Sequence, residues 1–223
     1  MSHPAVSAII PVHDGRDLLA RALRSVLGQS RPPDEIIVVD DGSEDGSGAL
    51  ARAFAGVTCL ELPHQGQAAA LNQGVAAARG EYLAFLDCDD EWLPDKLARQ
   101  LARFDADGSL EAVFGHAQQI VDMGGHAVGA PASFVARLPS AMLIRRAALA
   151  RVGPFNPGLR LGMVIEWYTR ACDAGLRELV IPEVVYRRHI HGANMGIRHA
   201  RERDEYAVML KQVLDRRRSS KGA

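Results

Sequence analysis

Short apolar runs alternate with helix-like patterns along the first hundred residues of the chain. Apolar runs bounded by polar residues are typical of strands buried on both faces of a sheet. They predict strands over residues 5–10, 35–39 and 57–62, and a fourth in the run that ends before Asp87. Helical spacing predicts helices over 17–27, 47–54 and 66–78. Alternating strands and helices favour βαβ units, with the carboxyl ends of the strands on one edge of a mainly parallel sheet.

The pattern is weaker beyond residue 105. It predicts a strand over 111–116, a hairpin over 118–130, helices over 141–152 and 165–174, short strands over 179–181 and 184–186, and an amphipathic helix over 202–218. We predict one α/β domain without independent units, because no repeat or low-complexity linker divides it. Its parts are a ligand-binding half (1–105), a smaller second half (106–200), and a C-terminal helix with a basic tail (201–223).

Composition narrows the class of protein. Hydrophobic residues make up 48% and charged residues 24% of the 223 residues, and the formal net charge is −1. No overall field therefore favours nucleic acid as a partner. Three widely separated cysteines, Cys59, Cys88 and Cys172, form no zinc or disulfide pattern and favour a reducing cytoplasm. We find neither a signal-peptide pattern nor an apolar stretch near the roughly 20 residues that span a bilayer.

The fourth predicted strand ends in an acidic cluster. Asp87, Asp89 and Asp90 follow it directly, and Glu91 comes next. Carboxylates this close repel one another unless a cation lies among them, and hard oxygen ligands suit Mg²⁺ or Mn²⁺. Such a cation in turn suits a diphosphate. The alternative is an acidic loop in which Asp89 or Asp90 caps the next helix.

A second acidic segment, Asp40-Asp41-Gly42-Ser43, follows the second strand at the same predicted edge. A carboxylate there can accept hydrogen bonds from a uracil N–H or a ribose hydroxyl. The alternative is a turn in which an Asp or Ser side chain caps the next helix. Two acidic clusters at one sheet edge are much less common than one, and the pair favours a ligand site.

Further polar positions lie at the same edge. Pro11, Val12 and Asp14 end the first strand, where their backbone and the Asp14 side chain can line a pocket for a base; the alternative is that Asp14 caps a helix. Gln67 lies where the third helix begins, and N-terminal amides of a helix suit a phosphate or a base. Asn72 is a poor helix former within that helix, which favours a polar contact.

Taken in order, these segments resemble the family 2 glycosyltransferases. The resemblance runs through residues 6–15, 35–43, 66–74 and 80–94, and continues more loosely to about residue 195. It implies a GT-A type α/β fold, with a Rossmann-like, mainly parallel sheet flanked by helices and a smaller acceptor-side subregion. It also implies a nucleotide-sugar pocket along the sheet edge.

The resemblance implies roles for the acidic residues. Asp41 corresponds to the acid that holds uracil or ribose. Asp87-Cys88-Asp89 is similar to the family's DxD motif, in which Asp89 binds a divalent metal, Mn²⁺ or Mg²⁺, that bridges the diphosphate. Asp87 then binds ribose or a metal-bound water. Asp90 is similar to an extra acid often found beside the motif.

The catalytic base is where the chain departs from the family. An acidic pair usually precedes a helix that ends in Arg, and Met163 and Val164 stand in its place. Glu166 is the remaining carboxylate of that stretch, and we predict that it is the base, with a pKa raised in a partly apolar pocket beside Trp167. The alternative is that Glu166 simply favours the start of the helix.

The segment 186–194 resembles a late family segment that folds back over the diphosphate. Arg187 or Arg188 can pair with phosphate oxygens, and we favour Arg188. His189 or His191 can give a nitrogen to the metal, and we favour His191.

The predicted activity is an inverting, metal-dependent transfer of a sugar, most readily from a UDP-sugar, to an unknown glycan, lipid-linked or other hydroxyl acceptor. One alternative is a nucleotidyltransferase, although such enzymes usually carry a glycine-rich loop with basic residues after the first strand, and the loop here has one glycine, Gly15, and one arginine, Arg16. Another is a non-catalytic module that binds a sugar nucleotide or glycan, because Met163 and Val164 replace the acidic pair. The basic residues 216–218 and Lys221 suggest contact with the inner face of a membrane, or else a solvated tail.

Overall fold

The computed structural model describes residues 5–121, 132–159 and 162–190, together with Lys211. In these ranges the chain forms one sheet with helices on both of its faces. The strands are β1 (Val6–Val12), β2 (Glu35–Asp41), β3 (Val57–Leu62), β4 (Tyr82–Phe85), β5 (Glu91–Trp92), β6 (Ala112–Val121), β7 (Ala132–Ala136), β8 (Leu143–Arg145) and β9 (Glu178–Ile190). The helices are α1 (Arg16–Leu27), α2 (Ser47–Arg52), α3 (Gln67–Ala77), α4 (Lys96–Ala106), α5 (Arg146–Val152) and α6 (Met163–Asp173), with a 3₁₀ turn at Pro139–Ala141.

The strand order along the sheet is β3-β2-β1-β4-β8-β6-β9-β5, and β7 also pairs with β6. The first four strands of this order are parallel to one another, as the sequence predicts. The other half is mixed: β8 is antiparallel to β4 and β6, β6 is parallel to β9, and β5 is antiparallel to β9. The carboxyl ends of β1, β2 and β4 therefore share one edge.

Alternation along β1 divides the core into two layers. Val6, Ala8 and Ile10 pack on one face of the sheet with apolar residues of α1, α2 and α4. Ile9 packs on the other face with residues of α3, α5 and α6. Because neighbouring strand residues point to opposite faces, an apolar run without alternation is what a strand covered on both sides requires.

β1 continues through Pro11, although the sequence predicts that it ends at residue 10. Ile9 accepts a hydrogen bond from the Leu86 N–H, so the backbone groups of Ile9 and Pro11 face β4. The pairing with β4 stops at Ile9, opposite Phe85. An N–H at Pro11 would have no partner strand there, so the proline is tolerated in the strand.

The single helix predicted over 141–152 is wrong in its first half, where the chain forms β8 before α5 begins. Leu143 and Ile144 are fully buried between β4 and β6. A short apolar run of this kind fits a buried strand and a buried helix equally well, and the sheet decides which one forms.

The two short strands predicted over 179–186 are one strand, β9. Val180 pairs with Phe114 and Val184 with His116, so three residues of β9 bulge opposite one residue of β6. Pro182 lies in this bulge, where no ladder hydrogen bond is lost. Apart from Lys211, the predicted helix over 202–218 lies outside the described residues, and so does the turn of the predicted hairpin.

Strands from both predicted halves enter the same sheet. β8 lies beside β4, and the two-residue β5 from the first half pairs with β9 at the far end of the order. Among the described residues, no helix combines the length and apolar character needed to cross a membrane.

Candidate active site

Three carboxylates converge where β4 ends. One oxygen from each of Asp87, Asp89 and Asp90 lies within 4.8 Å of the others, and we call these residues the acidic triad. Burial and the negative charge of Asp89 raise the pKa of Asp87 to about 7. Burial and the charges of Asp87 and Asp89 raise the pKa of Asp90 well above its ordinary value. The triad therefore concentrates negative charge in a small volume, enough to raise the pKa of two of its members.

The triad fits a divalent cation. Oxygen ligands lie about 2.0–2.6 Å from Mg²⁺ or Ca²⁺, so two ligands of one ion are at most about 5 Å apart. The separations within the triad meet this limit. The donor set consists of hard carboxylate oxygens, which suit Mg²⁺ or Mn²⁺.

Neighbouring segments fix the triad in place. Gln67 donates a hydrogen bond from Nε2 to Asp87 Oδ1 at 2.7 Å, and Ser140 Oγ accepts the Asp87 N–H at 3.1 Å. The His189 N–H donates to Asp90 Oδ1 at 3.0 Å. Gln67 is thus in contact with the triad, while its predicted binding of the nucleotide stays a prediction. The sequence gives no sign of Ser140, which is distant in the chain.

A buried polar network holds the 3₁₀ turn that carries Ser140. The Trp92 indole donates to the Ser140 carbonyl at 3.1 Å, and Gln100 Nε2 donates to the Ala141 carbonyl at 2.8 Å. Lys96 Nζ donates to Gln100 Oε1 at 2.7 Å and lies 4.6 Å from the centre of the Trp92 ring. Burial lowers the pKa of Lys96 well below its ordinary value. The site therefore has a rigid, fully packed support on its inner side.

Strand pairing brings the late segment of the chain to the triad. Glu91 lies opposite Arg187 across β5 and β9, and the two form an ion pair at 2.6 Å. Arg188 lies beside the triad instead, and its positive charge acts to lower the pKa of Asp87. Of the two predicted phosphate-binding arginines, Arg188 is thus the one whose charge acts on the triad.

The predicted metal ligand His191 lies outside the described residues. A residue that the sequence analysis did not single out is Tyr186, which is fully buried and carries a pKa raised by burial and by Asp90 and Asp87. In the sequence it is one apolar position in a strand pattern. Its nearness to the triad depends on the pairing of β5 with β9.

Asp41 organises the loop before α3. Its oxygens accept hydrogen bonds from the Gln65 and Gly66 N–H groups, both at 2.8 Å, and His64 Nδ1 lies 2.9 Å from Oδ2. The residue is only 3% exposed. This arrangement gives the carboxylate a structural task, and the predicted contact with uracil or ribose would have to be made beside these three partners.

Two stacked imidazoles lie exposed over the end of β2. The rings of His13 and His64 are 4.1 Å apart between centroids and inclined by 24°, and each Nδ1 lies close to the Asp41 carbonyl. Their side chains are 43% and 58% exposed. They offer a flat surface suited to a base. In the sequence, His13 lies within the segment 6–15 that resembles the family, and no pattern there marks it as a site residue.

At the end of β1, the predicted base pocket lined by the backbone stays a prediction. Pro11 and Val12 are buried strand residues, so their side chains belong to the core and do not line an open pocket. Asp14 has a φ of 48°, and its Oδ1 accepts the Glu44 N–H at 2.9 Å. It therefore joins the loops after β1 and β2. The alternative predicted for Asp14, that it caps α1, is wrong, since Gly15 is the N-cap of that helix.

Asn72, which is predicted to make a polar contact and to take part in nucleotide binding, makes a polar contact with the backbone of Phe155, and its part in nucleotide binding stays a prediction. Its Nδ2 donates to the Phe155 carbonyl at 2.8 Å, and its Oδ1 accepts the Phe155 N–H at 2.9 Å. Both ends of the amide are thus occupied by one backbone position, which fastens α3 to the turn after α5.

Glu166 lies in a buried ion pair and not in the predicted apolar pocket. Its two oxygens accept hydrogen bonds from Arg170 Nε at 2.8 Å and Nη2 at 3.1 Å, and Glu166 is 4% exposed. Arg170 also donates to the carbonyls of Val152 and Pro154. Through its pair with Arg170, the Glu166 carboxylate stabilises α6. This geometry does not support the prediction that Glu166 is the base.

Comparisons with known protein sequences agree with the resemblance. The model described as "Glycosyl transferase family 2" matches residues 7–149. Glycosyltransferase AglE of Haloferax volcanii is 32% identical over 192 residues, which are 77% of this chain and 62% of AglE. Succinoglycan biosynthesis protein ExoO of Rhizobium meliloti is 38% identical over 113 residues, which are 49% of this chain and 32% of ExoO. The chain thus spans less than two thirds of these relatives.

Solved structures show the same fold. Residues 1–349 of S. aureus TarS, in complex with UDP, superpose with a TM-score of 0.73 at 19% identity, over 94% of this chain and 64% of that one. The mannosyltransferase PcManGT of Pyrobaculum calidifontis, in complex with GDP-Man and Mn²⁺, gives 0.74 at 22% identity, over 96% and 65%. The predicted GT-A type α/β fold is confirmed.

Proposed function

The chain belongs to glycosyl transferase family 2, and on that premise we propose that it transfers a sugar from a nucleoside-diphosphate sugar with the help of a divalent cation. The observation that carries this proposal is the acidic triad, whose three oxygens converge within 4.8 Å at the carboxyl edge of the sheet. Open α/β sheets bind their ligands at that edge.

We propose a UDP-linked sugar as the donor. TarS is described in complexes with UDP and with UDP-GlcNAc, and PcManGT in a complex with GDP-Man and Mn²⁺. These neighbours support the class of donor for a chain of the same fold. The exposed pair His13 and His64 would stack on the base, since flat rings favour offset stacking.

Asp87, Asp89 and Asp90 would hold the cation, Mn²⁺ or Mg²⁺. When bound, such a cation supplies Lewis-acid stabilisation of the charge on the departing diphosphate. The chain's own groups complete the site: Gln67 fixes the Asp87 carboxylate, and Arg188 can pair with phosphate oxygens through charge-assisted hydrogen bonds.

For the acceptor side we propose an inverting displacement by a hydroxyl of a glycan or lipid-linked acceptor. The proposal leaves Glu166 in its structural ion pair, since both oxygens are engaged by Arg170. The anomeric configuration of the product tests the displacement, and a retained configuration would contradict it. We also propose that the protein acts in the cytoplasm, where free thiols such as exposed Cys172 stay reduced.

One observation favours a second candidate, a module that binds a sugar nucleotide without turning it over. Met163 and Val164 occupy the positions of the family's acidic pair, and the remaining carboxylate, Glu166, is neutralised by Arg170. The two candidates differ in the release of UDP from a UDP-sugar in the presence of Mn²⁺, with water as the acceptor. A transferase should release UDP slowly under these conditions. Binding with no release above background would favour the module.

Calorimetric titration with UDP and with GDP, each with and without Mn²⁺, tests the donor site. We expect Mn²⁺-dependent binding of UDP that is lost in Asp89→Ala. The matched control is Asp105→Ala, which removes an exposed carboxylate of α4 and should bind as the unaltered protein does. If neither nucleotide binds in the presence of Mn²⁺, the proposed donor site is wrong.

A further inference from the structure

The hydroxyl of Tyr186 is buried without a hydrogen-bond partner among the described residues. The side chain is 0% exposed, and its oxygen neither donates nor accepts a hydrogen bond. Buried polar groups are hydrogen-bonded in the great majority of cases, so a phenol in this state requires an explanation. Its surroundings offer one, because they carry several charges.

Strand pairing carries the Tyr186 ring to the acidic triad. Tyr186 lies opposite Trp92, two residues beyond Asp90, and shares a face of β9 with Arg188. Burial, followed by the negative charges of Asp90 and Asp87, raises the pKa of the Tyr186 phenol well above its ordinary value. The negative charges that act on the phenol are thus those of the triad, and the positive charge of Arg188 acts in the opposite direction.

The triad carboxylates have room for another donor. Asp87 accepts one side-chain hydrogen bond from Gln67, and Asp90 accepts one from the His189 N–H. An ionised carboxylate has about four acceptor positions on its two oxygens. Asp90 is itself 3% exposed, so a donor that reaches it has to come from a buried neighbour such as Tyr186.

We propose that Tyr186 is a positioning residue for the divalent cation, and that its hydroxyl donates a hydrogen bond to Asp90 when the triad holds the cation. This inference rests on the proposed function, because it takes the triad as the cation site. Partners that hydrogen-bond to metal ligands fix the orientation of those ligands and tune metal affinity. Tyr186 then joins Gln67 and the His189 N–H as the third such donor.

The proposal predicts opposite effects in two states of the protein. Without metal, Tyr186→Phe removes a buried hydroxyl that has no partner, so the melting temperature should stay the same or rise. With metal, the same change removes a donor to a ligand, so the Mn²⁺ dissociation constant should increase by about 10- to 100-fold. A purely structural tyrosine would not produce this combination.

The test is titration of the protein with Mn²⁺ alone, followed by electron paramagnetic resonance, with the melting temperature measured in the absence of metal. The matched control is Tyr82→Phe, which removes the hydroxyl of another buried tyrosine. Tyr82 lies at the start of β4, whereas the triad follows the end of that strand. This control should keep the Mn²⁺ affinity of the unaltered protein. Unchanged Mn²⁺ affinity in folded Tyr186→Phe would overturn the inference about Tyr186 and leave the proposed function standing. Absence of Mn²⁺ binding by the unaltered protein would overturn both.

A second measurement tests whether Asp90 is the carboxylate that accepts the hydrogen bond from Tyr186. It uses the Asp90→Asn variant as the background. If Tyr186 acts through Asp90, Tyr186→Phe should weaken Mn²⁺ binding far less in that background than in the unaltered protein, since coupled residues are non-additive. Equal losses in both backgrounds would contradict the assignment of Asp90. Near-ultraviolet absorption tests the proposal in the unaltered protein. A phenol that begins to donate a hydrogen bond absorbs at longer wavelength, so addition of Mg²⁺ should shift the tyrosine absorption in that direction. No shift on addition of Mg²⁺ would also contradict the proposal.

Discussion

The acidic triad and the Glu166–Arg170 pair are two carboxylate sites with opposite charge balance. In the triad, oxygens of three aspartates lie within 4.8 Å of one another, and the pKa of Asp87 is raised to about 7. In the pair, both Glu166 oxygens receive hydrogen bonds from a single guanidinium. Asp90 and Glu166 are both almost fully buried, whereas Asp87 and Asp89 are partly exposed, so burial alone does not distinguish the two sites.

The difference shows how a functional carboxylate is recognised in this fold. A buried charge without compensation is costly, and a fold retains it where a ligand supplies the missing charge. A buried charge with a bidentate partner already has its compensation, and it acts in stability. This criterion favours the triad as the site of chemistry and Glu166 as part of the framework, and it argues against the prediction that Glu166 is the base.

The largest expected effect is loss of turnover in Asp87→Asn. The substitution keeps the shape of the side chain but removes one of the three charges that would hold the cation. Loss of the cation would remove several kcal/mol of stabilisation of the leaving group, which lowers the rate by about 1000-fold. Steady-state release of UDP measures it, and thermal unfolding without metal should show no loss of stability. A variant with more than a tenth of the original rate would remove Asp87 from the catalytic site.

The opposite outcome is expected for Glu166→Leu, in which the free energy of unfolding should fall while the turnover per folded molecule is kept. Arg170 would be left partly buried without its partner, at a cost of about 3 kcal/mol. Denaturant unfolding measures this cost, and the matched double variant Glu166→Leu/Arg170→Met should recover part of it. Turnover per folded molecule should stay within a few-fold of the original. A loss of about 1000-fold in Glu166→Gln at full stability would restore Glu166 as the base.

A smaller effect is expected in the pH dependence of stability without metal. The pKa of Asp87 is raised in the folded protein, so the folded state holds a proton at pH values where the unfolded chain, with a pKa near 3.9, has lost it. The stabilisation is complete below about pH 4 and is lost as the pH rises through about 7. We expect the unfolding free energy to fall by about 2 kcal/mol between pH 5 and 8, since the shift is shared among coupled carboxylates.

Addition of Mn²⁺ should remove most of that pH dependence, because the cation replaces the proton as the compensating charge. Asp87→Asn without metal should show a flatter profile than the unaltered protein. A metal-free profile that instead rises between pH 5 and 8 would contradict the raised pKa of Asp87.

The parallel half of the fold follows from the sequence because its strands are covered on both faces. The bounds predicted for β3 agree with the structure, and β2 differs only in continuing to Asp41. The second half depends on pairing that no local pattern reveals. β8 and β5 have three and two residues, too few for any periodicity, and their identity as strands comes from the neighbours they pair with.

The candidate site divides in the same way. The acidic triad is local in sequence and follows a strand, so its position could be predicted. Ser140 and Tyr186 reach it from distant segments, and only the topology brings them there. For Glu166, a local sign was available: Arg170 stands four residues later in a helix, the spacing at which opposite charges pair. That spacing predicts the ion pair and argues against a free base.

The smallest expected effect concerns Ser140, which supports the triad without belonging to it. Ser140→Ala leaves the Asp87 N–H without its acceptor at a buried position, which costs about 1 kcal/mol. Because Asp87 then loses one of its two fixed contacts, Mn²⁺ affinity should fall by about threefold, which is less than for any change within the triad. Calorimetry with Mn²⁺ measures this, and Ser133→Ala, at an exposed position in β7, is the control. An equal loss of Mn²⁺ affinity in Ser140→Ala and in Asp89→Ala would contradict this expectation. The charge of the triad would then not explain the Mn²⁺ affinity by itself, and the 3₁₀ turn would contribute to cation binding directly.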